Sequence, residues 1–128
     1  MEVYAGENMW TEISMREYDV LYTLAKARTP LRLSELRDGV LLSQPALSRM
    51  VDRLIARGLV SREADPGDAR AVRISLTDKG RQIQRRVGRA HARSVAREVS
   101  AALDDEEIAQ LDQLCRKLAA RRAPHSAI

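Results

Sequence analysis

Residues 65–80 read D-P-G-D-A-R-A-V-R-I-S-L-T-D-K-G, and this stretch decides the fold. A Pro-Gly-Asp turn stands between Leu59-Val60 and Val72-Arg73-Ile74-Ser75-Leu76, so two short extended runs fold back as a hairpin. Thr77 then caps a long helix that opens with Asp78. Arg70 and Arg73 on the hairpin have no obvious partner within the fold.

Working outward, Leu31-Arg32-Leu33 alternates apolar, basic and apolar, as a third strand beside the hairpin would. Residues 16–28 place Tyr18, Leu21, Tyr22 and Leu24-Ala25 at helical spacing, and Thr29-Pro30 ends that helix. Ser34 is an N-cap for a short helix through about Asp38, closed by Gly39. Val40-Leu41-Leu42 forms a turn, and Ser43 caps the next helix with Pro45 in its first turn. Within residues 44–57, Leu47, Met50, Val51, Leu54 and Ile55 make one apolar stripe. Gly58 stops this helix, whose opposite face carries Gln44, Ser48, Arg49, Asp52 and Arg53. Helix, turn, helix and basic-tipped hairpin give a fold that is mainly α with a small β-hairpin wing (α+β), a winged helix-turn-helix of the kind that docks on duplex DNA.

The chain has 128 residues, 45% hydrophobic and 31% charged, as expected of one soluble globular domain. No apolar run approaches a membrane span and the N-terminus does not resemble a signal peptide, so the expectation is a cytoplasmic protein without membrane contact. Cys115, the single cysteine, excludes an internal disulfide framework and provides no second thiol for a metal. The net charge is +4, and its distribution matters more than its size. Between Ser43 and Arg97 there are 13 Lys/Arg against five Asp/Glu, a local excess of +8, while the flanking segments 1–42 and 98–128 are each −2. A positive field over one helix and the hairpin is the footprint of polyanion binding; a solvated arginine-rich face is the alternative for residues 81–97.

From Thr77 a helix runs to about Leu103, and Asp104-Asp105-Glu106-Glu107 restarts a last one, with acidic residues placed favourably at its N-terminus. Ile83, Val87, Val95 and Val99 on the first, and Ile108, Leu111, Leu114, Cys115 and Leu118 on the second, make apolar stripes that a small winged core cannot cover. The simplest partner is a second copy of the chain. Cys115 reads as a buried structural thiol, and Ala123–Ile128 as an irregular tail.

The segments I-S-M-R-E-Y-D-V-L-Y-T-L-A, L-R-L-S-E-L, L-S-Q-P-A-L-S-R-M-V-D-R-L-I-A-R-G-L-V-S-R and D-P-G-D-A-R-A-V-R-I-S-L-T-D-K-G resemble the MarR (multiple antibiotic resistance regulator) family of bacterial transcription regulators. The resemblance covers about residues 12–120, and the wing is its most specific part. It implies a homodimer of winged lobes joined by N- and C-terminal dimerisation helices: a winged helix-turn-helix over 15–80, and dimerisation segments 1–14 and 81–122 within a single domain, 1–122. It also implies binding to pseudo-palindromic double-stranded operators, as a repressor released by a small ligand. Family members carry a longer N-terminal helix, whereas a dozen residues precede Ile13 here. The expectation is either a start further upstream or a shortened first dimerisation helix.

Ser43, Gln44, Pro45, Ser48 and Arg49 match the family's base- and phosphate-contacting start of the recognition helix. Arg49 has the geometry to pair bidentately with guanine, and Gln44 to address adenine or a phosphate. Ser43 serves alternatively as a helix cap only, and Arg53 as a DNA contact or a surface charge. Arg70 matches the wing arginine that enters the minor groove, with Asp68 as its orienting partner; narrow A·T-rich grooves attract an inserted guanidinium. Arg73, on the hairpin stem, either touches phosphate or stays solvated. All four aromatics, Tyr4, Trp10, Tyr18 and Tyr22, fall in the first 22 residues. They line either a pocket, in which the resemblance implies an aromatic or phenolic effector with Arg16 pairing its carboxylate, or a packed interface and core; Trp10, Arg16 and Tyr18 are the candidate ligand residues. No nucleophile–base pair or metal-ligand set is visible, so the expectation is a non-enzyme without metal or cofactor. A winged-helix module that binds an acidic protein is the competing function.

Overall fold

The computed structural model describes residues 10–127. The expected dimerisation segment before residue 10, with Tyr4, and the terminal Ile128 lie outside the described residues. The chain forms two compact units, one ending at His91 and one beginning at Ala92.

In the first unit, α1 (Met15–Ala27) opens on a reciprocal cap. Ser14 Oγ accepts the Glu17 amide at 3.1 Å, and Glu17 Oε1 accepts the Ser14 amide at 2.7 Å, which satisfies two donors that a helix start leaves orphaned. The helix ends at Arg28, in the left-handed region with φ 62°. Strand β1 is Leu31–Arg32, one residue shorter than the run expected from its alternation. Helix α2 (Leu33–Asp38) follows directly. Its N-cap is Arg32, not Ser34: the Arg32 amide donates to Glu35 Oε1 at 2.9 Å, and Leu33 is drawn into the first turn because its side chain packs against the core.

Helix α3 (Gln44–Ala56) is capped by Ser43, whose hydroxyl accepts the Ala46 amide at 3.3 Å. At its other end Gly58 takes φ 75°, which only glycine adopts without strain. The Gly58 amide donates to the Ile55 carbonyl and the Leu59 amide to the Leu54 carbonyl, both at 2.9 Å. This is a Schellman closure, with buried Leu59 returning onto buried Leu54.

Strands β2 (Val60–Asp65) and β3 (Asp68–Leu76) form the hairpin. The antiparallel sheet has the order β1-β3-β2, with Leu31 opposite Ile74 and Val60 opposite Leu76. Helix α4 (Asp78–Ala102) leaves the sheet at Thr77. Thr77 Oγ1 accepts the Gly80 amide at 3.0 Å and donates to the Gly58 carbonyl at 2.6 Å, while the Thr77 amide donates to the Leu59 carbonyl at 3.1 Å. A Cβ on Gly80 would collide with the Leu59 carbonyl, so this crossing is close enough to require glycine. The core beneath is built from Val20, Leu21, Leu36, Leu47, Leu54, Leu59, Ile74, Ile83 and Val87, all buried.

The second unit contains the end of α4 and helix α5 (Asp105–Ala127). Asp104 and Glu107 repeat the reciprocal cap, at 2.8 and 3.0 Å. The backbone stays helical through Ala127, past the point where an irregular tail was expected; no glycine falls between Asp105 and Ala127 to stop it. Val95, Leu111 and Leu114 are exposed, and Leu118 is 68% exposed. The expectation of a buried Cys115 is corrected: the thiol is exposed in the single chain, because the stripe that carries it is itself uncovered.

Gly80→Ala should therefore destabilise the chain by about 1–3 kcal/mol, the usual cost of overpacking. Gly67→Ala at the hairpin tip, where a Cβ meets only Asp65 Oδ1 at 3.5 Å, should change stability far less. Urea midpoints of the two variants check this, and equal shifts would contradict it.

Candidate nucleic-acid interface

Burial of Leu47, Met50, Val51 and Leu54 fixes the rotation of α3 about its axis. Gln44, Pro45, Arg49 and Arg53 are thereby exposed, and Ser48 is half-buried at the edge of the same face. Ser43 caps the helix, so its hydroxyl already has one partner. Arg49 and Arg53, one helical turn apart, form no ion pair or side-chain hydrogen bond among the described residues.

Two depressions flank α3. One, of about 520 Å³ and open to solvent, brings Arg16 of α1 beside Arg49 and Arg53, with Ser14, Met15, Leu42, Ala46 and Met50. Three guanidinium groups from two helices thus share one surface. The other, of about 190 Å³, joins Gln44 to Ser34, Arg37, Leu33 and Asp38 of α2. The turn that brings α2 against the start of α3 places there Ser34, read from the sequence only as a helix cap, and Arg37, which the sequence reading did not name.

The wing owes its form to two aspartates. Asp65 Oδ1 accepts the Gly67 amide at 2.8 Å, and Asp65 Oδ2 pairs with Arg32 Nε on β1 at 2.7 Å. The Gly67 amide, and then the Arg32 guanidinium, hold the Asp65 carboxyl below the usual carboxylate range. Asp68 Oδ1 accepts the backbone amide of Arg70 at 3.0 Å, so it shapes the chain before Arg70 without touching the guanidinium.

Register then decides which arginine is free. A simple hairpin that pairs Asp65 with Asp68 would go on to set Glu63 against Arg70. Instead the register shifts between Asp65 and Ala64, so that Ala64 faces Val72 and Glu63 faces Arg73. Ala69, Arg70 and Ala71 are left without partners on β2, and the exposed Arg70 side chain meets no carboxylate among the described residues. Arg73 is the opposite case and corrects the expectation that it lacks a partner. Its Nη2 pairs with Glu63 at 3.3 Å, and its Nε is buried without a hydrogen-bond partner. Arg73 belongs to the sheet, in a cross-strand row with Arg32 and Glu63.

Of the expected ligand residues, Trp10 and Tyr18 are brought together, while Arg16 lies apart from them. Trp10 packs edge-on against Tyr18 at 5.9 Å and beside His91 at 5.6 Å, and Tyr18 stacks on Tyr22 at 6.0 Å. The Tyr18 hydroxyl meets Gln84 Nε2 at 3.5 Å. Arg16, two residues from Tyr18 and so on another face of α1, lies beside Arg49 instead. Among the described residues no group of three or more His, Cys, Asp or Glu is placed to hold a metal, and no helix is long and apolar enough to cross a membrane.

Comparison with known proteins gives this geometry a context. The sequence model of the MarR family matches residues 12–71. The regulator YkoM of Bacillus subtilis is 34% identical over 97 residues, 76% of this chain and 59% of YkoM. The multiple antibiotic resistance protein MarR of Escherichia coli is 30% identical over 109 residues, 84% of this chain and 74% of MarR. The chain thus spans less than two thirds of YkoM's length. The crystal structure of apo MarR from E. coli superposes with a TM-score of 0.79 at 26% identity, covering 90% of this chain and 86% of MarR. Sco3205, a MarR family regulator from Streptomyces coelicolor crystallised in complex with DNA, superposes with a TM-score of 0.73 at 29% identity, over 91% of this chain and 76% of its own.

Because Asp65 is held below its ordinary range, the order it gives the wing is fully present above the unfolded carboxylate value of about 3.9. That order is lost only as pH falls through the lower folded value. The Gly67 amide should keep its hydrogen-bonded NMR shift at about pH 5 and lose it only below the unfolded carboxylate value, at lower pH than in Arg32→Ala. An identical midpoint in Arg32→Ala would remove the ion pair from the wing's support.

Proposed function

The chain belongs to the MarR family, and from that premise we propose that it is a cytoplasmic transcriptional regulator that binds a pseudo-palindromic operator as a homodimer, acting as a repressor. The observation that carries the reading is that α3 and the wing each present arginines left without carboxylate partners. Arg49 and Arg53 on α3 and Arg70 in the shifted part of β3 are all exposed. A recognition helix in the major groove and a wing in the adjacent minor groove need such groups, the first to read base edges and the second to enter a strongly negative groove. Gln44, Pro45 and Ser48 join them at the start of α3, with Ser43 as the cap that also presents its backbone to phosphate. Arg37 adds a phosphate contact from α2. Asp68 takes part by holding the Arg70 backbone, and Arg73 by bracing the strand behind it.

Dimerisation is supported by the exposed stripe of Leu111, Leu114 and Leu118 on α5 and by Val95 on α4. A response to a small aromatic or phenolic acid completes the proposal. Its support is Arg16 beside Arg49 and Arg53: a carboxylate paired there would compete with phosphate for the same cations. Trp10 and Tyr18 stand in this reading as the packed base of α1.

Binding to random duplex DNA should weaken steeply as salt rises, because phosphate contacts release counterions. No binding at low salt would favour a protein-binding winged helix instead. Arg49→Ala should lose about 1–3 kcal/mol of discrimination between operator and random DNA, whereas Arg81→Ala on α4 should weaken both alike. Arg70→Ala should weaken operator binding at least about tenfold with an unchanged melting temperature, since its side chain holds nothing in the fold. Sedimentation at micromolar concentration should give a dimer, and Leu114→Glu/Leu118→Glu should shift it to monomer.

A further inference from the structure

Helix α3 and the wing are separate elements, and DNA binding of the kind proposed requires that they meet one duplex at a fixed mutual angle. Arg62 on β2 and Asp52 on α3 connect them through side chains. Arg62 Nη2 lies 2.6 Å from Asp52 Oδ1. Asp52 is the only acidic residue of α3 and sits one turn beyond Ser48 and Arg49. A carboxylate at that place repels phosphate, so electrostatics alone argues against its presence there. Stability does not explain it either, for the two side chains are 48% and 61% exposed, and exposed pairs contribute little to folding.

We propose that Asp52 and Arg62 are a positioning pair that sets the angle between the recognition helix and the wing, so that Arg49 and Arg70 address one duplex in register. Arg62 stands three residues before Asp65, where the strand enters the turn, a lever of about 10 Å at roughly 3.3 Å per residue. A small rotation at the pair therefore displaces the Arg70 end of the wing by a larger distance. The remaining carboxylates of the hairpin also act within the protein: Glu63 on Arg73, Asp65 on Arg32 and Asp68 on the Arg70 amide. The proposal rests on the DNA-binding reading of the same surface.

The experiment compares wild type, Asp52→Ala, Arg62→Ala and the exchange Asp52→Arg/Arg62→Asp. Each is titrated against a duplex selected from a random pool by the wild-type protein and against unselected duplex, with melting temperature as a control. Positioning requires Asp52→Ala to bind the selected duplex more weakly, by roughly threefold or more, although it removes a negative charge from the surface. On unselected duplex the same variant should bind equally or more tightly, and the exchange should recover most of the selective binding. If Arg62 is instead a phosphate contact and Asp52 a bystander, Arg62→Ala weakens both duplexes, Asp52→Ala tightens both, and the exchange recovers nothing. That pattern overturns the proposal while leaving DNA binding intact. Failure of the wild type to retain any duplex at low salt removes both readings, and a melting shift that tracks the binding loss would make the pair structural.

Discussion

The fold hangs on the crossing at Thr77. One hydroxyl caps α4 and binds the Gly58 carbonyl, and one amide closes the strand against Leu59. Three elements meet there: the end of α3, the base of the wing, and the start of α4. Because Gly80 has no side chain, the α4 backbone passes against the Leu59 carbonyl itself. Lys79 Nζ adds a bond to the Arg57 carbonyl at 3.3 Å, and Arg57 in turn reaches Glu17 at 3.1 Å and the Glu12 carbonyl at 2.6 Å. Arg86 of α4 pairs with Glu12 on its other side. A chain of short polar contacts thus runs around an apolar core, and it locks α1, α3 and α4 in orientations that hydrophobic burial alone, being non-directional, does not specify.

The charge pattern gains meaning from the same framework. In the basic middle segment the few carboxylates are not scattered to neutralise it. Each one in the hairpin and on α3 holds a particular arginine or amide, and among the arginines of those two elements the ones left without a carboxylate are Arg49 and Arg53 on the exposed face of α3 and Arg70 at the shifted end of β3. A three-residue register shift is what separates Arg70 from Glu63. Backbone geometry rather than composition decides that the wing presents a naked guanidinium.

Much of this was legible in the sequence because it is local. Ser43, Gly58, the Pro66-Gly67 turn and Thr77 in its capping of Gly80 act on residues within a few positions, and those roles follow from residue type and spacing. The α3 stripe likewise follows from periodicity. The failures are of two kinds. Ser34, a good capping residue, gave up the N-cap to Arg32, because packing of Leu33 against the core draws it into the first turn. Arg73, Arg62 and Arg32 found partners 10 to 33 residues away, and neither a register shift nor the approach of a helix to a strand is written in spacing. Arg16 and Tyr18 were grouped as neighbours in sequence, but helical rotation sends them to different surroundings.

Trp10 is the single tryptophan of the chain, and its ring rests against Tyr18 of α1 and His91 of α4. Its emission is therefore a one-site optical gauge of whether those two helices remain together. Tyr18, stacked on Tyr22, is placed to pass excitation energy to the indole across 5.9 Å. Separation of α1 from α4 will register as a loss of that transfer and a red shift of the emission, without any label having been added to the protein.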